Sequence, residues 1–270
     1  MSNEQTPILE EDILGFSVAT QSFAEQIALM MQWAQQRLSR VVCVANVHML
    51  MEAYWNPSFA QVLHRADLLT PDGMPLVWTL NLIRKRRHNR VAGMDILREL
   101  CRQASAQGVE VYFVGSDTDT LDKMRQQLNQ DFPDLVVAGM QPLPFHSPTA
   151  EEDRQVVAQI NHSQAGVVFV SLGCPKQEVW MYQHRDRIEA VMVGLGGVFP
   201  IYAGILKRAP DWMRTAGLEW LYRLVQEPRR LWKRYATTIP PFVYLSVKQV
   251  VTTRVSRRLT RMFGDRLPQS

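Results

Sequence analysis

Short apolar runs alternate along the chain with segments that have helical periodicity. The runs are nearly all apolar and rich in β-branched residues, as expected of strands that helices cover on both faces. Between two of them, the segment from Ile96 to Cys101 places its apolar residues on one face of a helix. The pattern predicts an α/β fold in which crossover helices connect the strands of a mostly parallel, Rossmann-like sheet. The predicted strands cover residues 41–45, 66–70, 109–115, 135–139, 167–172 and 190–195.

The loops that directly follow these strands are where chemistry is expected. In open α/β sheets, ligands bind in the crevice at the carboxyl ends of the strands. Most of these loops carry glycine or a polar side chain, which suits close approach of a ligand to the backbone. We therefore expect a crevice formed by Asn46, Pro71-Asp72-Gly73, Gly115-Ser116, the segment from Gly173 to Glu178, and the segment from Gly194 to Gly197.

The glycines at 194, 196 and 197 have two interpretations. Their backbone N–H groups could approach a diphosphate at the start of a helix near Phe199, or the glycines could simply form a tight turn. The dinucleotide fingerprint needs a third glycine where this chain has Phe199. An NAD-dependent dehydrogenase is therefore disfavoured.

Two other strand-end segments carry catalytic side-chain types, and each has a simpler alternative. Pro71-Asp72-Gly73 is a common turn sequence, but a carboxylate beside a nucleotide crevice could also accept a proton from an attacking hydroxyl. Lys176-Gln177-Glu178 could line the same crevice or could be the exposed start of a helix. The residue pattern alone leaves both pairs of alternatives open.

No convincing metal site is visible in the sequence. Asp117 and Asp119 form an Asp-x-Asp string, but they precede a helical pattern and are better interpreted as a helix cap. The three cysteines form no CxxC motif, so we expect neither a zinc site nor a disulfide framework. The histidines have no metal-ligand spacing and are interpreted as structural or surface residues; they are His48, His64, His88, His146, His162 and His184.

The positive charge of the chain is concentrated at its end. Residues 201–270 contain 14 Lys and Arg against 4 Asp and Glu, a net charge of +10, which leaves −6 for residues 1–200 of a chain whose total is +4. The composition changes near residue 208. We therefore predict two parts, an α/β catalytic domain at 1–208 and a basic helical appendage at 209–270. Neither a secretory signal nor an apolar segment long enough to span a bilayer is visible, which predicts a cytoplasmic location.

Five segments of the chain resemble the WecG/TagA/CpsF family of bacterial glycosyltransferases, glycosyltransferase family 26. They occur in the family's order over roughly residues 40–236, and the last is too long and particular to be chance. The segments are Ala45-Asn46; Leu69 to Pro75, which reads LTPDGMP; Arg90 to Asp95, which reads RVAGMD; Leu172 to Glu178, which reads LGCPKQE; and Lys207 to Tyr235, which contains KRAP, GLEWLYRL and EPRR.

The resemblance implies an inverting, metal-independent transfer from a UDP-sugar to an undecaprenyl-diphosphate-linked sugar, with no cofactor. By this analogy Asp72 is the general base, and Asn46, Arg90 and Gln177 lie around the nucleotide-sugar. Arginines of the appendage are expected to fold over the active site and contact the diphosphate groups. The expected substrate-binding residues are Gly115, Gly173, Pro175, Lys176, Glu178, Gly196, Gly197, Arg223, Arg229, Arg230 and Arg234.

The chain departs from the family pattern at two positions. Val44 stands where many members have a threonine, so a hydroxyl often found in the acceptor pocket is missing. Pro200 stands where many members have an aspartate, which removes a carboxylate near the nucleotide crevice. The sugar specificity of this chain is therefore not given by the resemblance.

The appendage also has the composition of a membrane-binding segment. Aromatic and aliphatic residues alternate with arginine and lysine between residues 212 and 235, a mixture that suits an anionic lipid interface. We expect a peripheral protein on the inner face of the cell membrane; a homo-oligomer is compatible with the sequence. The alternatives are a packed helical hairpin with a solvated basic face, and a nucleic-acid-binding module on an α/β protein, which accounts for the charge but not for the crevice residues.

Overall fold

A computed structural model describes residues 8–85, 87–143 and 149–264, with side chains up to Ser256 in the last helix. His146, interpreted above as a structural or surface residue, and residues 265–270 of the predicted appendage lie outside these ranges. The strands are β1 (Glu10–Ile13), β2 (Phe16–Ala19), β3 (Arg40–Ala45), β4 (Leu68–Pro71), β5 (Val111–Gly115), β6 (Val137–Gln141), β7 (Val167–Ser171) and β8 (Val191–Gly194).

The helices alternate with the strands and then continue without strands at the end of the chain. They are α1 (Phe23–Gln35), α2 (Val47–Trp55), α3 (Pro57–His64), α4 (Met74–Arg84), α5 (Gly93–Gln107), α6 (Thr118–Asp131), α7 (Ala150–His162), α8 (Lys176–Gln183), α9 (Val198–Tyr202), α10 (Asp211–Thr215), α11 (Glu219–Gln226) and α12 (Pro228–Gly264).

Six strands form one sheet in the order β4-β3-β8-β7-β5-β6, and every neighbouring pair is parallel. Along β3, Val41, Cys43 and Ala45 pack into the core on one face, whereas Val42 and Val44 pack into the core on the other. Helices cover both faces, which explains why the central strands are nearly all apolar. The predicted α/β fold with a Rossmann-like parallel sheet and crossover helices is confirmed.

A short antiparallel hairpin, formed by β1 and β2, was not predicted from the sequence. Leu14 and Gly15 turn the chain with positive φ angles of 54° and 91°, a conformation that glycine adopts without strain. Ile13 and Phe16 are buried beside this turn. The hairpin therefore adds its apolar side chains to one face of the main core.

The basic end of the chain is helical, as predicted, but it is not a separate body. Leu231 and Phe242 of α12 are buried, and Phe242 belongs to the same core as the central strands. Gln249 also binds the β1–β2 hairpin, accepting from the backbone N–H of Leu14 at 3.1 Å and donating to Asp12 at 2.8 Å. The appendage thus packs along α2 and α4 of the α/β domain. In the described part of the chain, no helix is long and apolar enough to cross a membrane.

Candidate active site

A cavity of about 880 Å³ opens at the carboxyl ends of the central strands. Residues from four strand-end loops line it: Asn46 after β3, Asp72 after β4, Gly173 after β7, and Gly196 and Gly197 after β8. The parallel sheet brings together segments far apart in sequence because it places the ends of all its strands at one edge. The appendage forms the opposite wall.

Asp72 lies at the end of β4 with its side chain partly exposed to the cavity. Its backbone N–H donates to the carbonyl of Ala45 at 2.9 Å, which fixes the loop against β3. Burial raises the pKa of the Asp72 carboxyl to about 6, although Arg90, 3.9 Å away, opposes this shift. A carboxylate with a pKa near neutrality can act as a general base.

Arg90 lies between two carboxylates from opposite sides of the cavity. Its Nε is 3.9 Å from Asp72, and its Nη1 donates to Glu219 of α11 at 2.8 Å. Arg208, the last residue before the appendage, forms a second ion pair, with Asp95 at the start of α5. These two pairs hold the first part of the appendage against the catalytic edge of the sheet.

Asn46 has a structural role as well as a place on the cavity wall. Its Oδ1 caps α2 by accepting from the backbone N–H of Met49 at 3.1 Å. This bond satisfies one of the N–H groups that a helix start leaves without an intrahelical partner. The same side chain lines the cavity, so the cap fixes its orientation there.

Gln177 and Glu178 open α8 but are not exposed. Gln177 is 4% exposed and Glu178 is 0% exposed, so the alternative of an exposed helix start is wrong for these two residues. The Nε2 of Gln177 donates to the carboxylate of Glu178 at 2.7 Å, while its buried Oε1 has no partner among the described residues. Burial raises the pKa of Glu178 to about 7. Gln177 lines the cavity, and Glu178 supports it from behind.

Six arginines and two carboxylates, those of Asp72 and Glu219, line the cavity. The guanidinium of Arg223 rests on Gly197, where a methyl group would lie 2.5 Å from its Nη2. Arg234 is partly exposed, but its Nε is buried and has no hydrogen-bond partner among the described residues. This excess of positive charge suits a ligand with several negative charges. The arginines are Arg90, Arg208, Arg223, Arg230, Arg234 and Arg254.

Five of the predicted site residues lie away from the described cavity wall. A methyl group on Gly115 would lie 2.4 Å from the carbonyl oxygen of Ser171, so this glycine permits close approach of β5 and β7. Phe199, which interrupts the dinucleotide fingerprint, is fully buried against Phe113. The five residues off the wall are Gly115, Pro175, Lys176, Glu178 and Arg229.

The cavity wall also contains residues that were not predicted as site residues. Arg208 and Glu219 belong to the family segments quoted above, so a signal for them was present in the sequence. Arg254 and the apolar residues of α12 had none, because they reach the cavity only through the path of a long helix. His48 lines the wall in a neutral state, since burial and the charge of Arg234 lower its pKa to about 4.

Asp117 of the Asp-x-Asp string caps α6, as predicted, and Asp119 lies in the first turn of that helix. The Oδ1 of Asp117 accepts from the backbone N–H of Thr120 at 2.8 Å, and Asp119 pairs with Lys123. His184 is a buried structural residue that bridges the carbonyl of Trp180 and the carboxylate of Asp153. Within residues 8–85, 87–143 and 149–264, no three His, Cys, Asp or Glu residues cluster in a way that could hold a metal ion.

Comparisons with known proteins identify the family of this chain. Residues 11–256 match the model of the "Glycosyl transferase WecG/TagA/CpsF family". Over 217 residues the chain is 33% identical to an N-acetylglucosaminyldiphosphoundecaprenol N-acetyl-beta-D-mannosaminyltransferase of Bacillus spizizenii, covering 80% of this chain and 82% of that protein. A protein of the same name from Staphylococcus aureus is 26% identical over 250 residues, covering 91% and 95%. The chain belongs to the WecG/TagA/CpsF family and is a glycosyltransferase.

Proposed function

We propose that the protein transfers N-acetylmannosamine or a related hexose from a UDP-sugar to an undecaprenyl-diphosphate-linked sugar, in the biosynthesis of a cell-surface polysaccharide or teichoic acid. The names of the relatives support the sugar and the lipid-linked acceptor. The observation that carries the proposal is one carboxylate of raised pKa, Asp72, in a cavity lined by six arginines. Such a cavity suits two diphosphates and one proton transfer.

In the proposed reaction, the acceptor hydroxyl attacks the anomeric carbon of the donor sugar. Asp72 accepts the hydroxyl proton as the new C–O bond forms, and the bond between the anomeric carbon and the UDP oxygen breaks on the opposite face. UDP leaves with the bonding electron pair, and the anomeric configuration inverts. Base catalysis of this kind contributes roughly 10²- to 10⁴-fold in rate.

The arginines take the role that a metal ion has in many nucleotide-sugar enzymes. A guanidinium stays charged at neutral pH and binds two phosphate oxygens at once. Arg223, placed on the Gly197 backbone, is suited to stabilise charge that develops on the departing diphosphate. We therefore expect turnover within about twofold of the untreated rate after incubation with EDTA, measured by UDP release. Strong inhibition that manganese or magnesium reverses would contradict metal independence.

Asp72→Asn tests the catalytic assignment. The amide fills the space of the carboxylate but cannot accept the proton, so transfer should fall by roughly 10²- to 10⁴-fold while UDP affinity changes little. In the unaltered protein, transfer should also decline as the pH falls through about 6, because protonated Asp72 is not a base. The assay uses a panel of UDP-sugars with short-chain lipid-diphosphate acceptors. Activity of Asp72→Asn within a few-fold of the unaltered protein would remove Asp72 from the base role.

The membrane assignment is supported by apolar residues that face away from the cavity. Trp212, Leu221, Val225 and Trp232 are all exposed, and none belongs to the described cavity wall. An aromatic and aliphatic surface beside basic residues suits a lipid interface. We propose that the protein lies on the inner face of the cell membrane, in the cytoplasm.

The nucleic-acid alternative is weakened by where the basic side chains lie. Five of the 14 Lys and Arg residues in 201–270 are arginines that line the cavity, so a large share of this segment's positive charge faces the proposed active site. A nucleic-acid-binding surface needs its positive charge on an open face. The charge asymmetry is thus better explained by diphosphate ligands together with an anionic membrane.

A further inference from the structure

The cavity changes character along its length. Its inner end, at the strand ends, contains Asp72 and the lining arginines other than Arg254, whereas its outer end runs between α4 and α12 and is mostly apolar. Five large apolar side chains line this outer end and are each 49–58% exposed. We call this part the α4–α12 groove. Its exposed members are Trp78 and Leu82 of α4 and Val243, Val247 and Val251 of α12.

The groove results from regular helix geometry. Trp78 and Leu82 are four residues apart, as are Val243, Val247 and Val251, so each set forms a stripe along one face of its helix. From Ile239 to Val251, α12 lines the cavity over 12 residue steps, or ~18 Å. Large apolar side chains on a concave wall indicate an apolar ligand.

The two walls of the groove are fixed in place. Phe242 and Val250 of α12 are buried, which anchors the helix on both sides of the Val247 position. Near the mouth, Arg254 donates to the carbonyl oxygen of Leu82, at 3.3 Å, and joins the two walls directly. The groove is therefore part of the folded structure.

We propose that the α4–α12 groove binds the first isoprene units of the acceptor's polyprenyl chain. This inference rests on the proposed function and adds a binding site for the lipid portion of the acceptor. The acceptor carries its diphosphate and its hydrocarbon on one chain, so a diphosphate held at Arg230 and Arg234 must send the hydrocarbon out of the cavity. The groove is the apolar path that leads from those arginines to the surface. A UDP-sugar is polar at both ends and has no hydrocarbon that could fill the α4–α12 groove.

Val255 of α12 distinguishes a groove that binds one hydrocarbon chain from insertion of the whole helix into the bilayer. Val255 continues the stripe of Val243, Val247 and Val251 and is 52% exposed, but it is not part of the described cavity wall. A helix that simply enters the bilayer would use Val247 and Val255 alike. A groove for a single chain depends on Val247 and not on Val255.

The test uses acceptors of increasing chain length in solution, without membrane or detergent. N-acetylglucosamine would be linked through diphosphate to citronellyl, farnesyl or geranylgeranyl chains, and kcat and KM measured for each with the full-length protein. We expect kcat/KM to rise by about tenfold over the series, because each buried methylene strengthens binding. KM should fall along the series, whereas kcat should change little.

The variant Val247→Gln should flatten this dependence on chain length, and the matched control Val255→Gln should preserve it. UDP affinity reports whether each variant is folded. If Val247→Gln does not fold, Leu82→Gln tests the opposite wall of the groove. The proposed lipid site would be overturned if kcat/KM of the unaltered protein did not depend on chain length, or if Val247→Gln and Val255→Gln had equal effects. No transfer to any acceptor would instead overturn the proposed function, so the two failures are distinguishable.

Discussion

At the scale of single residues, the contact between Gly197 and Arg223 joins the α/β domain to the appendage. Gly197 has an ordinary φ of −65°, so its backbone does not require glycine. The absence of a side chain instead leaves space for the Arg223 guanidinium, whose Nη2 lies 2.5 Å from where a methyl group would be. This glycine therefore provides room for an arginine, whereas Gly115 provides room for a neighbouring strand.

Gly197→Ala should lower kcat by displacing Arg223, with little loss of stability because the end of a flexible side chain can move. We expect roughly a 10-fold decrease, below the 10²- to 10³-fold typical of removing a stabilising group entirely. Arg223→Ala and the double variant complete a mutant cycle measured by UDP release. If Gly197→Ala acts through Arg223, the effects will not add. Additive losses would mean that Gly197 acts on the substrate directly.

Some of the predicted site residues that line the cavity directly follow strands. Asn46 and Asp72 could be located because a parallel sheet fixes where its strand ends meet. Glu178 was expected to contact substrate, but its position on the first turn of α8 directs it into the protein behind Gln177. Which way a side chain points at a helix start depends on how that helix packs. Local sequence does not contain that information.

At the scale of elements, α11 has a distinct inner and outer face. Glu219 and Arg223 line the cavity, whereas Leu221 and Val225 point away from it. The two outer residues are four apart and therefore adjacent on the helix surface. Val225, at 74% exposure, is the more exposed of the pair. One short helix thus contributes both to the active site and to the proposed membrane surface.

Leu221→Gln combined with Val225→Gln should weaken binding to anionic vesicles and leave turnover on a soluble acceptor unchanged. The substitutions remove apolar side chains from the lipid interface without altering the cavity wall. Vesicle sedimentation measures the first effect and UDP release the second. Thr237→Gln, an exposed polar position on α12, is the matched control. Unchanged sedimentation would place the membrane surface elsewhere.

The elements themselves were predictable to different degrees. The six strands of the main sheet were found because continuous apolar runs identify buried parallel strands. The β1–β2 hairpin was missed because β1 reads EEDI and β2 reads FSVA, so neither strand contains a continuous apolar run. The appendage was predicted to be helical, but its packing into the main core through Phe242 involves contacts between distant parts of the chain. Periodicity along a segment cannot report such contacts.

At the scale of the whole molecule, the opposite charges of the two parts do not correspond to two independent bodies. The first 200 residues carry −6 and the last 70 carry +10, yet both parts line one cavity and share one core. Removing the residues after Arg208 would uncover the apolar surface that Leu231 and Phe242 now cover. A truncation therefore alters stability as well as membrane binding and catalysis. A change of salt concentration tests the role of the positive charge without altering the fold.

Raising the salt concentration should separate the two roles of the positive charge. Exposed charges are screened over ~8 Å at 0.15 M salt and over ~3 Å at 1 M, while partly buried groups are screened much less. Exposed basic residues near an anionic leaflet contribute ~1 kcal/mol each, so vesicle binding should fall steeply with salt. Turnover on a soluble acceptor should change by only about twofold, because the Arg90 side chain is 15% exposed and the Nε of Arg234 is buried. Neutral vesicles serve as the control and should show little dependence on salt. If vesicle binding does not depend on salt, or if the protein binds RNA or DNA more tightly than anionic vesicles, the assignment of the exposed charge to a membrane is wrong.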